Sequence, residues 1–457
     1  MKKLVALLLC LMMVVPATLA SAETAEGKVL NIWCWNDEFQ SRFNAYYPEV
    51  KEIAEDKSTT TLNDGTIVKW TINPNEGNNY QNKLDEALRA QESAAADDKI
   101  DIFLIEADYA LKYVDSPYTL DVKADIGLTD EDLGGQYKYT QEIATSADGK
   151  LKAVTWQATP GLFAYRRSIA KDVLGTDDPD AVQEALADWD KFNAVAEQAA
   201  AKGYYMLSGY DDAYRTFSNN VSAPWVADDG ETVVVDANLM KWVDQTKLYT
   251  DKGYNHKSSL WDATWAADQG PTGKVFGFFY STWGINFTLL GNSLAVPVSE
   301  GGKEEVGNGI FGDYAVCEGP QSYYWGGTWM CAAAGTDNAE TIKNVMLKLT
   351  CDKAIDKQIT LDTQDYTNNI EAMNEIAGSD YQSAFLGGQN HIALFAKSAE
   401  KIDMSNVGPY DQGCNEQMQN AFRDYFDGTI DIDAAKKNFE TAIMELYPEL
   451  TEVVWPE

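Results

Sequence analysis

Apolar residues fall in two rhythms along this chain, and the alternation between them is its first structural signal. The run Val29-Leu30-Asn31-Ile32-Trp33-Cys34-Trp35 ends in Asn36-Asp37-Glu38, the pattern of a buried strand feeding a polar loop. Phe39, Phe43, Tyr46 and Tyr47 follow near helical spacing, and Pro48 marks the end. Residues 68–72 predict a second strand and 73–79 a polar loop. A helix over 80–93 carries Leu84, Ala87, Leu88 and Gln91 on one face, before 100–105 predicts a third strand ending at Glu106-Ala107-Asp108. Strand, helix, strand, helix implies a parallel α/β sheet. Ligands of such sheets sit beyond the carboxyl ends of the strands, so residues 35–38, 76–79 and 106–108 are expected around one crevice.

The same rhythm continues. Residues 151–157 predict a strand, and after Thr159-Pro160-Gly161 the segment 162–167 begins a different unit. Asp188 caps a helix that stops at Gly203. Residues 274–280 form a strand that delivers Ser281-Thr282-Trp283-Gly284, and 323–334 leads to a helix capped at Asp337-Asn338 with Ile342, Val345, Met346 and Leu349 inward. Two closing helices carry Met418, Ala421, Phe422, Tyr425 and Phe426, then Ala435, Phe439, Ile443 and Leu446 behind a cap at Asp433. Stripes of this kind are packing faces. The chain shows neither an internal repeat nor a low-complexity tract.

Residues 1–22 predict a secretory leader: Lys2 and Lys3, an apolar stretch over 4–15, and the cleavage site Ala20-Ser21-Ala22. The mature protein is expected to start at Glu23, and no later run of about 18 apolar residues predicts a membrane span. Leu7-Leu8-Leu9 precede Cys10 where a lipobox requires a small residue, which argues against lipidation there. About 435 residues then exceed what one core supports, so two lobes are expected. A net charge of −35 excludes nucleic acid and anionic membrane as partners. Cys34, Cys317, Cys331, Cys351 and Cys414 are odd in number and widely spaced, which leaves room for one bridge but no disulfide framework or thiolate metal site.

Against 2 His stand 13 Trp and 24 Tyr, many of them in mixed polar clusters rather than apolar stripes. Trp33-Cys34-Trp35-Asn36-Asp37-Glu38, Trp261-Asp262-Ala263-Thr264-Trp265, Tyr280-Ser281-Thr282-Trp283 and Tyr323-Tyr324-Trp325-Gly326-Gly327-Thr328-Trp329 set flat faces beside amides, hydroxyls or carboxylates. A pyranose packs its C–H face on such a ring and needs a hydrogen-bond partner for each buried hydroxyl. His256 and His391 stand alone, which removes paired-His metal sites and a histidine triad. Gly307-Asn308-Gly309-Ile310-Phe311-Gly312 fits a dinucleotide fingerprint by spacing, but no strand precedes it and no helix signal follows. Asp431-Ile432-Asp433 lacks the rest of a calcium loop. No cofactor and no metal are expected.

In order along the chain, the strand and loop 30–38, the segment Val154-Thr155-Trp156-Gln157-Ala158-Thr159-Pro160-Gly161-Leu162-Phe163-Ala164-Tyr165, Trp189-Asp190-Lys191-Phe192, the strand end at 280–283 and Trp325-Gly326-Gly327 resemble the extracellular solute-binding proteins of carbohydrate ABC importers, the maltodextrin-binding-like family 1. The resemblance covers essentially the whole mature chain. It implies a two-lobed, type II periplasmic-binding-protein-like α/β fold, each lobe a mainly parallel sheet flanked by helices, with a sugar between the lobes. The implied hinge crossings fall near 153–157, 323–327 and 398–405. The first lobe would combine 23–153 with 327–398, and the second 154–326 with 399–457. Its partners would be a carbohydrate ligand and the membrane permease subunits, the protein itself being a secreted monomer. Gram-positive relatives carry a lipid-modified cysteine at the mature start, which this chain lacks.

The expected ligand contacts in the first lobe are Trp35, Asn36, Glu38, Asn78, Glu106 and Asp108. In the second lobe and hinge they are Trp156, Gln157, Trp225, Trp283 and Trp325, with Trp261, Trp265, Tyr280 and Asp411 in reserve. One stacking contact contributes about 0.5–1.5 kcal/mol beyond burial, whereas micromolar affinity needs about 8 kcal/mol, so several rings must act with the hydrogen bonds. The acidic Glu38, Glu106 and Asp108 leave a basic ligand such as a polyamine, or a peptide, as alternatives. A rival reading is a secreted glycoside hydrolase with Glu38 and Glu106 flanking the scissile bond at about 5–9 Å; no hydrolase motif accompanies them.

Overall fold

The computed structural model describes residues 27–456; the expected leader over 1–22 and the start at Glu23 lie outside the described residues. The strands are, in chain order, β1 (Val29–Cys34), β2 (Val50–Ile53), β3 (Thr59–Leu62), β4 (Ile67–Ile72), β5 (Ile102–Glu106), β6 (Ala153–Thr155) and β7 (Gly161–Arg166). Then follow β8 (Leu207–Gly209), β9 (Thr232–Val234), β10 (Asn255–Ser258), β11 (Gly277–Ser281), β12 (Tyr314–Cys317), β13 (Thr328–Ala332) and β14 (Glu452–Val454).

The first lobe is built on one seven-stranded sheet in the order β2-β3-β4-β1-β5-β13-β6. Its centre, β4-β1-β5, is parallel, as the strand–helix alternation requires. β1 buries Leu30, Ile32 and Cys34 on one face, while β5 is buried on both as Ile102, Phe103, Leu104 and Ile105. The flanks differ from expectation: β2 to β3, β3 to β4, β5 to β13 and β13 to β6 all pair antiparallel. β2 and β3 read as polar sequence because they form an exposed hairpin at the edge, where one wet face is tolerated.

The second lobe modifies the parallel expectation further. Its three-stranded sheet β11-β7-β12 is antiparallel throughout, and only the short pair β10-β8 beside it is parallel. β7 buries all six of its residues, with Phe163 packed among Phe192, Phe276 and Phe279. Burying each such ring stabilises the lobe by about 1.5–3 kcal/mol. The helix Trp189–Ala201 opens on Asp188, whose carboxylate accepts the Lys191 amide, as expected. The last helix, Ile432–Leu446, is capped by Asp431 through the Ala434 amide and not by Asp433, which sits one turn-position inside. The helix His391–Ala399, at the end of the expected first-lobe segment, packs on the helix Ile370–Ala377 and also reaches β7 and β12.

Between the lobes, residues 157–161 and 323–327 run side by side. Gly161 N–H donates to Tyr323 O, and Trp325 N–H to Thr159 O, while the Thr159 hydroxyl donates to Gly326 O. A Cβ on Gly161 would lie 2.1 Å from Cζ of Tyr323, so only glycine admits this approach. The third connecting segment joins them where Ser398 Oγ donates to Gly161 O. The five cysteines of the described residues are free. No helix among the described residues is long and apolar enough to cross a membrane.

Candidate functional site

β5 ends in the open between the lobes, and the chain turns sharply there. The Glu106 carboxylate accepts the Asp108 amide at 2.8 Å, which holds the turn and aims Asp108 across the gap. Arg215, on the short helix Tyr214–Ser218 that follows β8, meets it with Nη1 and Nη2 each 2.7 Å from a carboxylate oxygen. The lobe walls on either side would raise the half-exposed Asp108 carboxyl, but the Arg215 guanidinium more than offsets this and holds the group below its ordinary value. Burial, then the charge of Asp108, pushes Glu106 well above the carboxylate range. The Arg215 guanidinium also lies 5.4 Å over the Trp325 ring.

Trp325 is the centre of an aromatic group drawn from three separate stretches of sequence. Tyr280 at the end of β11 stacks on it at 5.6 Å with the planes 9° apart, and Trp283 meets it edge-on at 5.3 Å. Trp283 Nε1 donates to Trp325 O at 2.8 Å. Trp261 stacks on Trp283 at 6.2 Å and rests edge-on against Trp265. The two glycines after Trp325 make this possible: both have positive φ, and a Cβ on Gly326 would lie 2.8 Å from Trp283 Nε1. Trp261 is itself at φ +72° and is 57% exposed. An exposed indole held in the left-handed region costs energy.

Beside this group opens a cleft between Ala107, Asp108 and Tyr109 of the first lobe and Tyr214, Arg215, Tyr324 and Trp325 of the second. Asp211, Asp212, Asp411 and Glu416 form its acidic wall. The Tyr109 hydroxyl and one carboxylate oxygen each of Asp211 and Asp212 are buried without a hydrogen-bond partner, so polar capacity is held in reserve here. At the hinge, Gln157 Nε2 donates to Glu38 at 3.0 Å and to Asp365 at 2.8 Å, and Thr282 Oγ1 donates to the other Asp365 oxygen. Burial and then the Asp365 charge push Glu38 up to about 7.

Of the expected contacts, Asp108 and Trp325 line the cleft together with the reserve residue Asp411. Trp283, Trp261, Trp265 and Tyr280 stand around Trp325. Glu38 and Gln157 belong to the hinge network, so Glu38 and Glu106 are held by different partners, Gln157 and the Asp108 amide. Trp35 packs edge-on against Tyr80 and Tyr109 behind the cleft. Two expectations need correction. Trp156 is 1% exposed with its ring on Phe39, because the strand end it occupies faces the first helix. Trp225 is 5% exposed against Phe439, its Nε1 donating to Asn415, because β9 and β14 fold its loop into the core. Asn36 and Asn78 are exposed and serve local turns, through the Glu38 amide and the Gln81 side chain.

Arg215, Tyr109, Tyr324, Asp212 and Asp365 were not anticipated. The stretch Tyr210-Asp211-Asp212-Ala213-Tyr214-Arg215 carries the same aromatic–polar mixture as the clusters that were. β8, which delivers it, is three residues long and too short to show a periodicity.

A sequence model of bacterial extracellular solute-binding proteins matches residues 57–343. No curated protein sequence matches the chain. Among solved structures, an extracellular solute-binding protein of family 1 superposes with a TM-score of 0.71 at 15% identity, covering 92% of this chain and 99% of that one. A binding protein associated with an ABC transporter of B. animalis subsp. lactis Bl-04, in complex with β-1,6-galactobiose, gives 0.64 at 15% identity, with 93% and 100% covered. The galacto-N-biose/lacto-N-biose I-binding protein of Bifidobacterium longum, in complex with lacto-N-biose, gives 0.62 at 14%, with 94% and 100% covered.

Proposed function

This chain belongs to the bacterial extracellular solute-binding proteins, and from that membership we propose that it captures an extracellular sugar, an oligosaccharide, in the cleft between its lobes and delivers it to the permease of an ABC-type importer. The observation that carries the reading is the exposed indole of Trp261, stacked on Trp283 beside Trp325 at the edge of a cleft with unpartnered acceptors. Flat faces for sugar C–H surfaces and acceptors for hydroxyls stand side by side. Proteins of like fold hold β-1,6-galactobiose and lacto-N-biose, which supports the same class of ligand here.

Closure follows from where the contacts originate. A solute that touches Tyr109 and Asp108 on one lobe and Tyr324 and Trp325 on the other stabilises the closed form over the open one by its differential contacts. The permease then reads the closed surface. The protein works as an exported monomer, and binding rather than catalysis is its task.

A thermal-shift screen of mono- and oligosaccharides tests the ligand class, since a solute at 100 times its dissociation constant adds about 2.7 kcal/mol of stability. At least one sugar is expected to stabilise the protein and to reduce its radius of gyration in small-angle scattering. Stabilisation by non-sugars alone would sink the carbohydrate reading, and binding without compaction would sink the closure mechanism.

A further inference from the structure

We propose that the second-lobe wall of the cleft receives a protonated amine, so that the solute is an amino sugar; this rests on the reading of the cleft as a sugar site. Four carboxylates line that wall, Asp211, Asp212, Asp411 and Glu416, and the cations near them are already committed. Arg215 spends both terminal nitrogens on Asp108, Lys112 pairs with Asp85, and Arg423 reaches one oxygen of Asp211 at 2.6 Å.

Among the described residues, the other three carboxylates have only neutral donors. Asp212 accepts the Ser208 and Gly209 amides on one oxygen, and its other oxygen is buried with no partner. Asp411 accepts the Gly408 amide at 3.0 Å, and Glu416 accepts the Gln412 side chain at 3.2 Å. The second oxygen of Asp211, a residue 8% exposed, is likewise buried and unpartnered.

Carboxylates are acceptors only. The hydroxyls of a neutral sugar would fill their lone pairs but leave their charge uncompensated when closure expels water, and an unpaired buried charge is costly. An ammonium supplies three N–H donors and the missing charge together. Tyr214, Tyr324 and Trp325 line the same space, and Arg215 over Trp325 already demonstrates a cation on one of these faces. An acidic sugar would meet like charge. A polyamine would meet the same carboxylates and ring faces, so it is tested beside the amino sugars.

The sign of proton exchange separates the cases. Burial, with the charge of Asp108 behind it for Asp411, raises Asp212 and Asp411 to about 7, and burial and then Asp108 raise Glu416 above its ordinary value. A cation placed among them favours the charged forms and releases protons near pH 6.5, whereas a neutral solute that excludes water favours uptake.

The test uses the mature protein with glucosamine, galactosamine and their disaccharides, the N-acetylated counterparts, the parent neutral sugars, and spermidine, read by thermal shift and by calorimetry in buffers of different ionisation enthalpy. The amine-bearing sugars are expected to bind at least ten-fold tighter than their N-acetyl and hydroxyl counterparts, with proton release. Asp212→Asn and Asp411→Asn, near-isosteric and checked by circular dichroism, should each weaken the amine-bearing sugar by a larger factor than its neutral counterpart and diminish the proton release. Neutral sugars binding as well as the amines, proton uptake, or no response to any amine-bearing sugar overturns the inference and leaves the carbohydrate reading standing. Binding of spermidine alone overturns the carbohydrate reading as well.

Discussion

Asp108 and Arg215 close a bidentate pair across the cleft, with both nitrogen–oxygen distances 2.7 Å. Asp108 lies two residues beyond the end of β5 in the first lobe and Arg215 is the second residue of a short helix in the second, so the pair exists only when the lobes face each other. It is a contact that the protein makes with itself across the cleft.

The Asp108 side chain is 44% exposed, so the pair contributes about 0.5–1 kcal/mol. Asp108→Asn should therefore lower the closed-to-open ratio of the unliganded protein about two- to five-fold. Small-angle scattering should report a larger radius of gyration for the variant, and 1 M salt should move the wild type in the same direction. Identical profiles for both proteins at both salt concentrations would remove the pair from the closing equilibrium.

Trp261 offers a test in which affinity and stability move apart. Trp261→Gly removes an exposed stacking face and should weaken solute binding by roughly 0.5–1.5 kcal/mol, about two- to ten-fold. The same change relieves a left-handed backbone at φ +72°, so the melting temperature should hold or rise. A fall in melting temperature with unchanged affinity would make the indole structural.

Gln157 separates two acids at the hinge by donating to both Glu38 and Asp365. Gln157→Ala leaves them facing each other, at a cost of about 1–3 kcal/mol. Glu38 already sits near 7 in the folded protein, above its ordinary value, first because it is buried and then because Asp365 is near. Below that pH its carboxyl is protonated and can donate to Asp365; above it both are charged. Chemical denaturation should show a larger loss at pH 8 than at pH 5.5, and a pH-independent loss would refute the charge argument.

Asp356 is fully buried in the helix Lys353–Thr363 and neither carboxylate oxygen has a partner; burial holds it far above its ordinary value. A carboxyl whose folded value is raised keeps its proton in the folded state after the unfolded chain has lost it. The stability tied to that proton is therefore present at low pH and declines as pH rises above the ordinary aspartate value. Asp356→Asn removes the titration, so it should stabilise the protein more at pH 8 than at pH 5. Equal effects in thermal melts at the two pH values would contradict the assignment.

The reach of the sequence can be judged element by element. β1, β5 and the helix capped by Asp188 were legible, because a fully buried strand and an amphipathic helix write their burial directly as apolar spacing. β2 and β3 were not, since a hairpin with a wet face carries polar residues such as Thr59 and Lys51. The antiparallel direction of β13 was also hidden. It follows from the chain returning from the second lobe, a fact about connectivity rather than local pattern. At the site, Asp108, Trp283 and Trp325 stood out as polar–aromatic mixtures at strand ends. Trp156 and Trp225 met the same criterion and turned inward, because the side of the chain an indole faces is set by its neighbours in space.

By itself the sequence determined the composition of the site: many indoles and phenols, acceptors in excess of cations, almost no histidine, and two units of alternating strand and helix. Local spacing suffices for that, since periodicity and residue chemistry are properties of short segments. Tertiary structure alone decided which rings share a cleft, that Arg215 is spent on Asp108, and that Asp212 and Asp411 are left without a cation. Charge compensation depends on distance, and residues that face one another here are separated by more than a hundred positions along the chain.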